Sequence, residues 1–162
     1  MRATSVLEPP IDPRRLQHVA SAAVAMSAPS GPVVALPPFR TAAAARAWLD
    51  ADLPALLAGA APDDPDALVD LGLCLFRLER FGEARAVFAR VLALSRARGD
   101  RIGEGAALYD IGACHHRQGH HLLALAWHAE AHWVCTRAGC EPGRADAARG
   151  MRAAAAALDR SR

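Results

Sequence analysis

The sequence predicts an all-α fold, a solenoid of helical hairpins with about two full 40-residue repeats plus flanking helices. Three observations predict it. Identical residues recur at a constant offset of 40, as in Asp70 and Asp110, Gly72 and Gly112, Cys74 and Cys114, Arg77 and Arg117, Ala84 and Ala124, and Ala89 and Ala129. A fixed period of this size marks stacked supersecondary units. Within each period the apolar residues fall at helical spacing, and Gly and Pro punctuate the boundaries.

Residues 1–38 read as an N-terminal extension. Pro9, Pro10 and Pro13 predict an extended start, residues 13–27 a short helix, and residues 28–38, with four prolines and a glycine, a linker. The repeat domain spans residues 39–162. Its first helix is expected to start after Thr41, with Trp48, Leu49, Leu53, Leu56 and Leu57 at helical spacing. Pro54 is expected to kink or break it, and Gly59 to Pro65 to form a loop.

The first unit follows as a helix over about 66–79, with Leu68, Leu71, Leu75 and Leu78 on one face, and a second over about 83–98. The second helix presents Ala84, Val87, Phe88, Val91 and Leu94. Gly99-Asp100 ends it, with Arg96 and Arg98 near its negative end. The second unit covers about 103–118 and 121–138, turning at Gly119-His120. Residues 144–160 open a third, incomplete unit, expected to pack through Ala147, Met151, Ala154 and Leu158. Gly72 and Gly112 should let a neighbouring helix come close. No hairpin can bury its apolar face alone, so stacking supplies the core.

Composition narrows the function classes. Charge is nearly balanced, with 19 basic residues, all arginine, against 17 acidic ones. That is no electrostatic footprint for direct nucleic-acid binding. No stretch approaches the ~20 apolar residues of a membrane helix, and residues 14–28 make a poor export signal. Cys74, Cys114, Cys135 and Cys140 form no CxxC pair and read as reduced thiols of a cytoplasmic protein.

The repeat resembles the tetratricopeptide pattern. Leu71-Gly72, Leu75, Phe81, Ala84 and Phe88 meet it in the first unit, with Leu75 in place of an aromatic and Glu79 in place of the turn glycine. Ile111-Gly112, Gly119, Ala124 and Ala131 meet it in the second. The 40-residue period resembles a longer variety in which a Gly-Asp-Arg-x-Gly-Glu run, here Gly99 to Glu104, leads the second unit. A narrower resemblance links Phe39 to Ala60, with Ala47-Trp48-Leu49-Asp50, to the segment opening the repeat array of actinobacterial antibiotic-type regulators with an NB-ARC core. The Arg-only, Ala-rich composition also reads as GC-rich coding sequence of that kind. No GxxxxGK[ST] phosphate loop or winged helix is present, so the nucleotide switch of those regulators does not carry over, and the chain looks like the repeat end standing alone.

Two constellations could carry chemistry. The first is a groove. In such an array the first helix of each unit lines the concave surface. Asp70 and Arg77 lie on one helix face, and Asp110 and Arg117 repeat them a period later. Leu73 and Phe76 neighbour the first pair, and Tyr109 and His116 the second. Arginine forks beside aromatic anchors suit a protein or short-peptide partner. The competing reading makes the charged residues a ladder of ion pairs between helices. The second constellation is the histidine-rich stretch 114–135. His128, His132 and Cys135, spaced i, i+4 and i+7, share one face and suit a metal. Against that, His115, His121 and His128 occupy positions where packing aromatics belong, His128 opposite Phe88. Ser95 has no acid–base partner in sequence, Asp63, Asp64 and Asp66 read as helix caps, and Cys140 lies in a Gly-flanked loop open to solvent. The expectation is a protein–protein interaction module, not an enzyme, without a cofactor. It would be a regulator or adaptor in actinobacterial secondary metabolism. The alternatives are a homodimer built through the Ala-rich end helix, and a metal or small-ligand binder.

Overall fold

The computed structural model describes residues 42–55 and 64–161. The expected short helix at 13–27 and the linker at 28–38 lie outside the described residues, as do Leu56, Leu57 and Asp63. Six helices run in order: α1 (Ala42–Ala55), α2 (Pro65–Arg77), α3 (Phe81–Arg98), α4 (Arg101–Arg117), α5 (His121–Ala138) and α6 (Glu141–Arg160). There is no strand among the described residues. Consecutive helices from α2 to α6 pack on one another, and α4 also meets α6. The all-α hairpin array is therefore as predicted. The described helix α1 ends at Ala55, one residue after Pro54.

Capping chemistry sets the boundaries. Asp64 accepts a hydrogen bond from the Asp66 N–H and Pro65 occupies the first turn, where its missing N–H costs nothing. Gly99 closes α3 in the left-handed region, and Asp100 opens α4 by accepting from the Gly103 N–H at 2.9 Å. This is why the expected Gly99-Asp100 stop leads directly into the next helix.

The core runs through both units, with Leu68, Leu71, Leu75, Val87, Phe88, Val91, Leu108, Ile111 and Val134 buried. Trp48 of α1 packs against it half-buried, and Asp50 bridges to Arg80 at 2.7 Å. The α6 helix packs through Ala147, Ala154 and Ala157, all buried, with Met151 and Leu158 half-buried alongside. Buried Glu104 of α4 receives Arg96 of α3 at 2.8 Å and Arg101 at 2.6 Å, and Arg96 reaches on to Glu130 of α5 at 2.9 Å. Hydrogen bonds from Arg96, then from Arg101, hold the Glu104 carboxyl below its usual range against the opposing pull of burial. Three helices are thus tied through the Arg96 guanidinium, which bridges the Glu104 and Glu130 carboxylates.

The close approach expected at Gly72 and Gly112 is present, and it is made by ring side chains within each hairpin. A Cβ on Gly72 would stand 2.7 Å from Phe88 Cζ, and one on Gly112 would stand 2.8 Å from His128 Cε1. The same slot in the two units thus holds a benzene ring in one and an imidazole in the other.

Candidate binding groove

The first helices, α2 and α4, turn their inner faces to one side, and α6 continues that face. Three cavities lie along it. The first, about 360 Å³, lies between α2 and α4 and is lined by Leu73, Phe76, Arg77, Phe88, Tyr109, Asp110 and Ala113. The second, about 250 Å³, is reached past α4 to α6 and is lined by Phe76, Tyr109, Ala113, His116, Arg117, His128, Arg149, Gly150 and Ala153. The third, about 370 Å³, sits toward the start of α4 and α6, lined by Ile102, Gly105, Ala106, Tyr109, Asp110, Cys135, Cys140, Gly143 and Asp146. Tyr109 lines all three, so they form one run around its ring.

Seven of the eight residues expected in the groove line these cavities: Leu73, Phe76, Arg77, Tyr109, Asp110, His116 and Arg117. Asp70 stands outside them, half-buried on α2. The ion-pair ladder does not form as envisaged. Arg117 reaches back to Glu79 of the preceding unit at 3.0 Å and stacks over the rings of Phe76 and Phe81. Neither Asp70 nor Asp110 enters an ion pair or hydrogen bond with a described residue. Burial raises the Asp110 carboxyl to about 7. Burial, then Asp66 and Asp64, raises Asp70.

Sequence reasoning missed the third wall, Arg149, Gly150 and Ala153 of α6. Carrying the 40-residue period once more finds it, since Tyr109, Asp110 and Ala113 map onto these positions.

The metal reading is corrected. No group of three His, Cys, Asp or Glu side chains able to hold a metal ion exists among the described residues. His128 is only 2% exposed and its ring lies between Gly112 and Gly150, beside Tyr109 at 5.0 Å between centroids. Cys135 is buried against Gly105 and Gly143, while His132 is half-buried. The i, i+4, i+7 spacing therefore puts the first and last side chains into separate helix–helix contacts. Burial, then His116, lowers His128 to about 4, so its imidazole is neutral. His115 is buried and stacks on Trp127, and His121 places its Nδ1 3.2 Å from that of His116.

Cys140 departs from expectation too. It is half-buried as a free thiol just before α6, its sulfur and that of Cys135 both lying against Gly143. Burial pushes Cys74 and Cys114 up to about 12 and raises Cys135, which leaves these three thiols protonated and poor nucleophiles. Ser95 is buried with no partner for its hydroxyl.

Stacked hairpins whose first helices share a line of cavities define a helical-repeat architecture. Residues 63–136 match the tetratricopeptide repeat family model, so that segment is similar to tetratricopeptide repeats. Repeats of this family generally mediate protein–protein interaction. No curated protein and no solved structure matches the chain.

Proposed function

We propose that the chain is a protein–protein interaction module whose partner, a protein segment or short peptide, lies in the groove along α2, α4 and α6. The observation that carries this reading is the run of three cavities around Tyr109, with Phe76, Arg77, Asp110 and Arg117 in their walls. Aromatic anchors and arginine forks in concave, partly dehydrated sites are where binding energy concentrates. The buried Asp110 carboxyl, held up to about 7, also favours a partner that would give it a hydrogen bond. The module acts by binding and needs no cofactor or catalytic group.

The similarity of Phe39 to Ala60 to the opening of antibiotic-regulator repeat arrays supports a cytoplasmic regulator or adaptor in actinobacterial secondary metabolism. No described helix is long and apolar enough to cross a membrane. A second reading, self-association through α6, is favoured by exposed Ala145, Ala153 and Ala156 on that helix. Light scattering separates the two, because a monomer that captures a partner supports the groove.

The groove is tested by Arg77→Ala with Arg117→Ala. The double variant should lose partner capture by on the order of 1–2 kcal/mol per arginine, at circular dichroism matching wild type. Capture equal to wild type would remove the arginines from the interface. Loss of helicity would make them fold-holding residues instead.

A further inference from the structure

The joint between α5 and α6 repeats the joint between α3 and α4 with a different pair of side chains. At the first joint Gly99 lies in the left-handed region at φ 69°, and the Asp100 N–H donates to the Ser95 carbonyl at 2.9 Å. Forty residues on, Gly139 lies at φ 68° and the Cys140 N–H donates to the Cys135 carbonyl at 2.9 Å. This closing motif sets the side chain after the glycine against one from the last turn of the helix. The first joint pairs Ser95 with Asp100, and Asp100 caps α4 by accepting from the Gly103 N–H. The second pairs Cys135 with Cys140, and Cys140 gives α6 no side-chain cap. Aspartate is among the best residues at a helix start and cysteine is not, so the fold alone favours the first joint's solution.

The two sulfurs are neighbours. A Cβ on Gly143 would stand 2.8 Å from Cys135 Sγ and 3.2 Å from Cys140 Sγ. Burial, then the adjacent Cys140, raises the Cys135 thiol. Both cysteines line the 370 Å³ cavity, with Tyr109 and Asp146 in its wall. They differ in access, since Cys135 is 2% exposed and Cys140 is half-buried. Cys74 and Cys114 are buried in the core and outside that lining. One reachable thiol with a sheltered thiol beside it is an arrangement that a small oxidant can close to a disulfide.

We propose that Cys135 and Cys140 form a peroxide-reactive dithiol that closes to an intramolecular disulfide. The Cys140 thiolate attacks one oxygen of hydrogen peroxide and the O–O bond breaks. Hydroxide leaves, becomes water with the proton that Cys140 gave up, and Cys140 is left as a sulfenic acid. The Cys135 sulfur then attacks the sulfenic sulfur. The S–S bond forms, the S–O bond breaks, and the hydroxyl departs with the Cys135 proton as a second water. The two thiols lose two electrons, and one peroxide is reduced to two waters. A protonated thiol is slow against a dilute reagent, but here the electrophilic sulfur is held beside it. A small dithiol reverses the step by thiol–disulfide exchange, itself becoming the disulfide. The bond ties the end of α5 to the start of α6, and it does not depend on what occupies the groove.

The reduced full-length chain is treated with one equivalent of hydrogen peroxide, alkylated and digested with trypsin. Cleavage after Arg117, Arg137 and Arg144 puts Cys135 and Cys140 on separate peptides, 118–137 and 138–144. Mass spectrometry should show these two peptides linked to each other, with Cys74 and Cys114 alkylated, and dithiothreitol should separate the pair. In a glutathione redox buffer the disulfide should be favoured at least tenfold more in the folded chain than in concentrated urea, because native contact and not nearness in sequence holds the sulfurs together. Cys140→Ser should abolish the linked pair and leave Cys135 unoxidised. Cys135→Ser should strand Cys140 as a sulfenic acid that dimedone traps, and Cys140→Ser keeps the test open if that variant unfolds. The proposal is overturned by four thiols surviving the peroxide, by linkage through Cys74 or Cys114, or by dimers joined at Cys140. Sulfinic acid at Cys140 without a linked pair, or equal disulfide in folded and urea-unfolded chains, would overturn it as well.

Discussion

The two repeats share a backbone plan and differ in what fills it. In the first unit Phe88 lies on Gly72, a ring with nothing to satisfy. In the second His128 lies on Gly112 and Gly150, equally buried, with a nitrogen that finds no partner. The turns differ in the opposite sense. The second unit turns at Gly119 with φ 79°, the conformation glycine adopts without cost. The first places Glu79 there at φ 61°, a left-handed conformation that crowds a side chain. Each unit therefore carries a polar departure from the repeat pattern that touches a groove residue or wall, Glu79 in the first and His128 in the second. Glu79 holds Arg117, and His128 walls the second cavity.

The largest expected effects come from the two groups that titrate abnormally in the second unit. The folded His128 binds a proton only near pH 4, whereas the unfolded chain binds it near 6.5. Its contribution is therefore intact above pH 6.5 and falls as the medium is acidified toward 4, by on the order of 3 kcal/mol. Asp110 has the opposite sign. Folded, it keeps its proton up to about 7, against 3.8 ordinarily, so stability is fullest below 3.8 and declines as pH rises to 7, by on the order of 4 kcal/mol. The two nearly cancel across that window. Urea unfolding at several pH values should show Asp110→Asn gaining stability at pH 8 and growing more acid-sensitive than wild type. His128→Phe should lose part of the acid limb, the part due to Glu104 remaining. Parallel pH profiles in both variants would contradict the assignment.

A smaller effect tests the slot shared by the units. Gly72→Leu should overpack against Phe88 and cost on the order of 1–3 kcal/mol, read as a lower melting temperature. An unchanged melting temperature would break the proposed equivalence of the two hairpins. Smaller still is Glu79→Gly, which relieves the left-handed side chain but gives up the exposed Arg117 pair. A net gain of about 0.5–1 kcal/mol is expected, and a net loss would mean that the Arg117 contact outweighs the backbone strain.

Much of this was legible in sequence because a 40-residue period fixes equivalent positions without knowledge of contacts. The helices, the Gly99 stop and seven groove residues follow from it. What escaped depended on depth and pairing. The spacing of His128, His132 and Cys135 speaks only of one helix, and whether their side chains meet depends on the helices packed on either side. Arg117 carries a charge that could pair in several directions, and only the fold shows that it turns back to Glu79. Cys140 reads as a loop residue because Gly139 and Gly143 flank it, although a helix begins at Glu141, with Pro142 in its first turn, and Gly143 meets the sulfurs of both Cys140 and Cys135. The α6 wall was hidden by its alanines, which look like packing alone until the period is carried across them.

The central claim is that the partner lies on the α2, α4 and α6 face. It is tested most directly by placing the photocrosslinking residue p-benzoylphenylalanine at Ala153, an exposed position in the groove wall, and separately at Ala126, exposed on α5 and outside the three cavities. Irradiation in the native host, followed by mass spectrometry of the adducts, should give a defined protein adduct from Ala153 and none from Ala126. A defined adduct from Ala126 alone would place the partner on the α5 side and contradict the account.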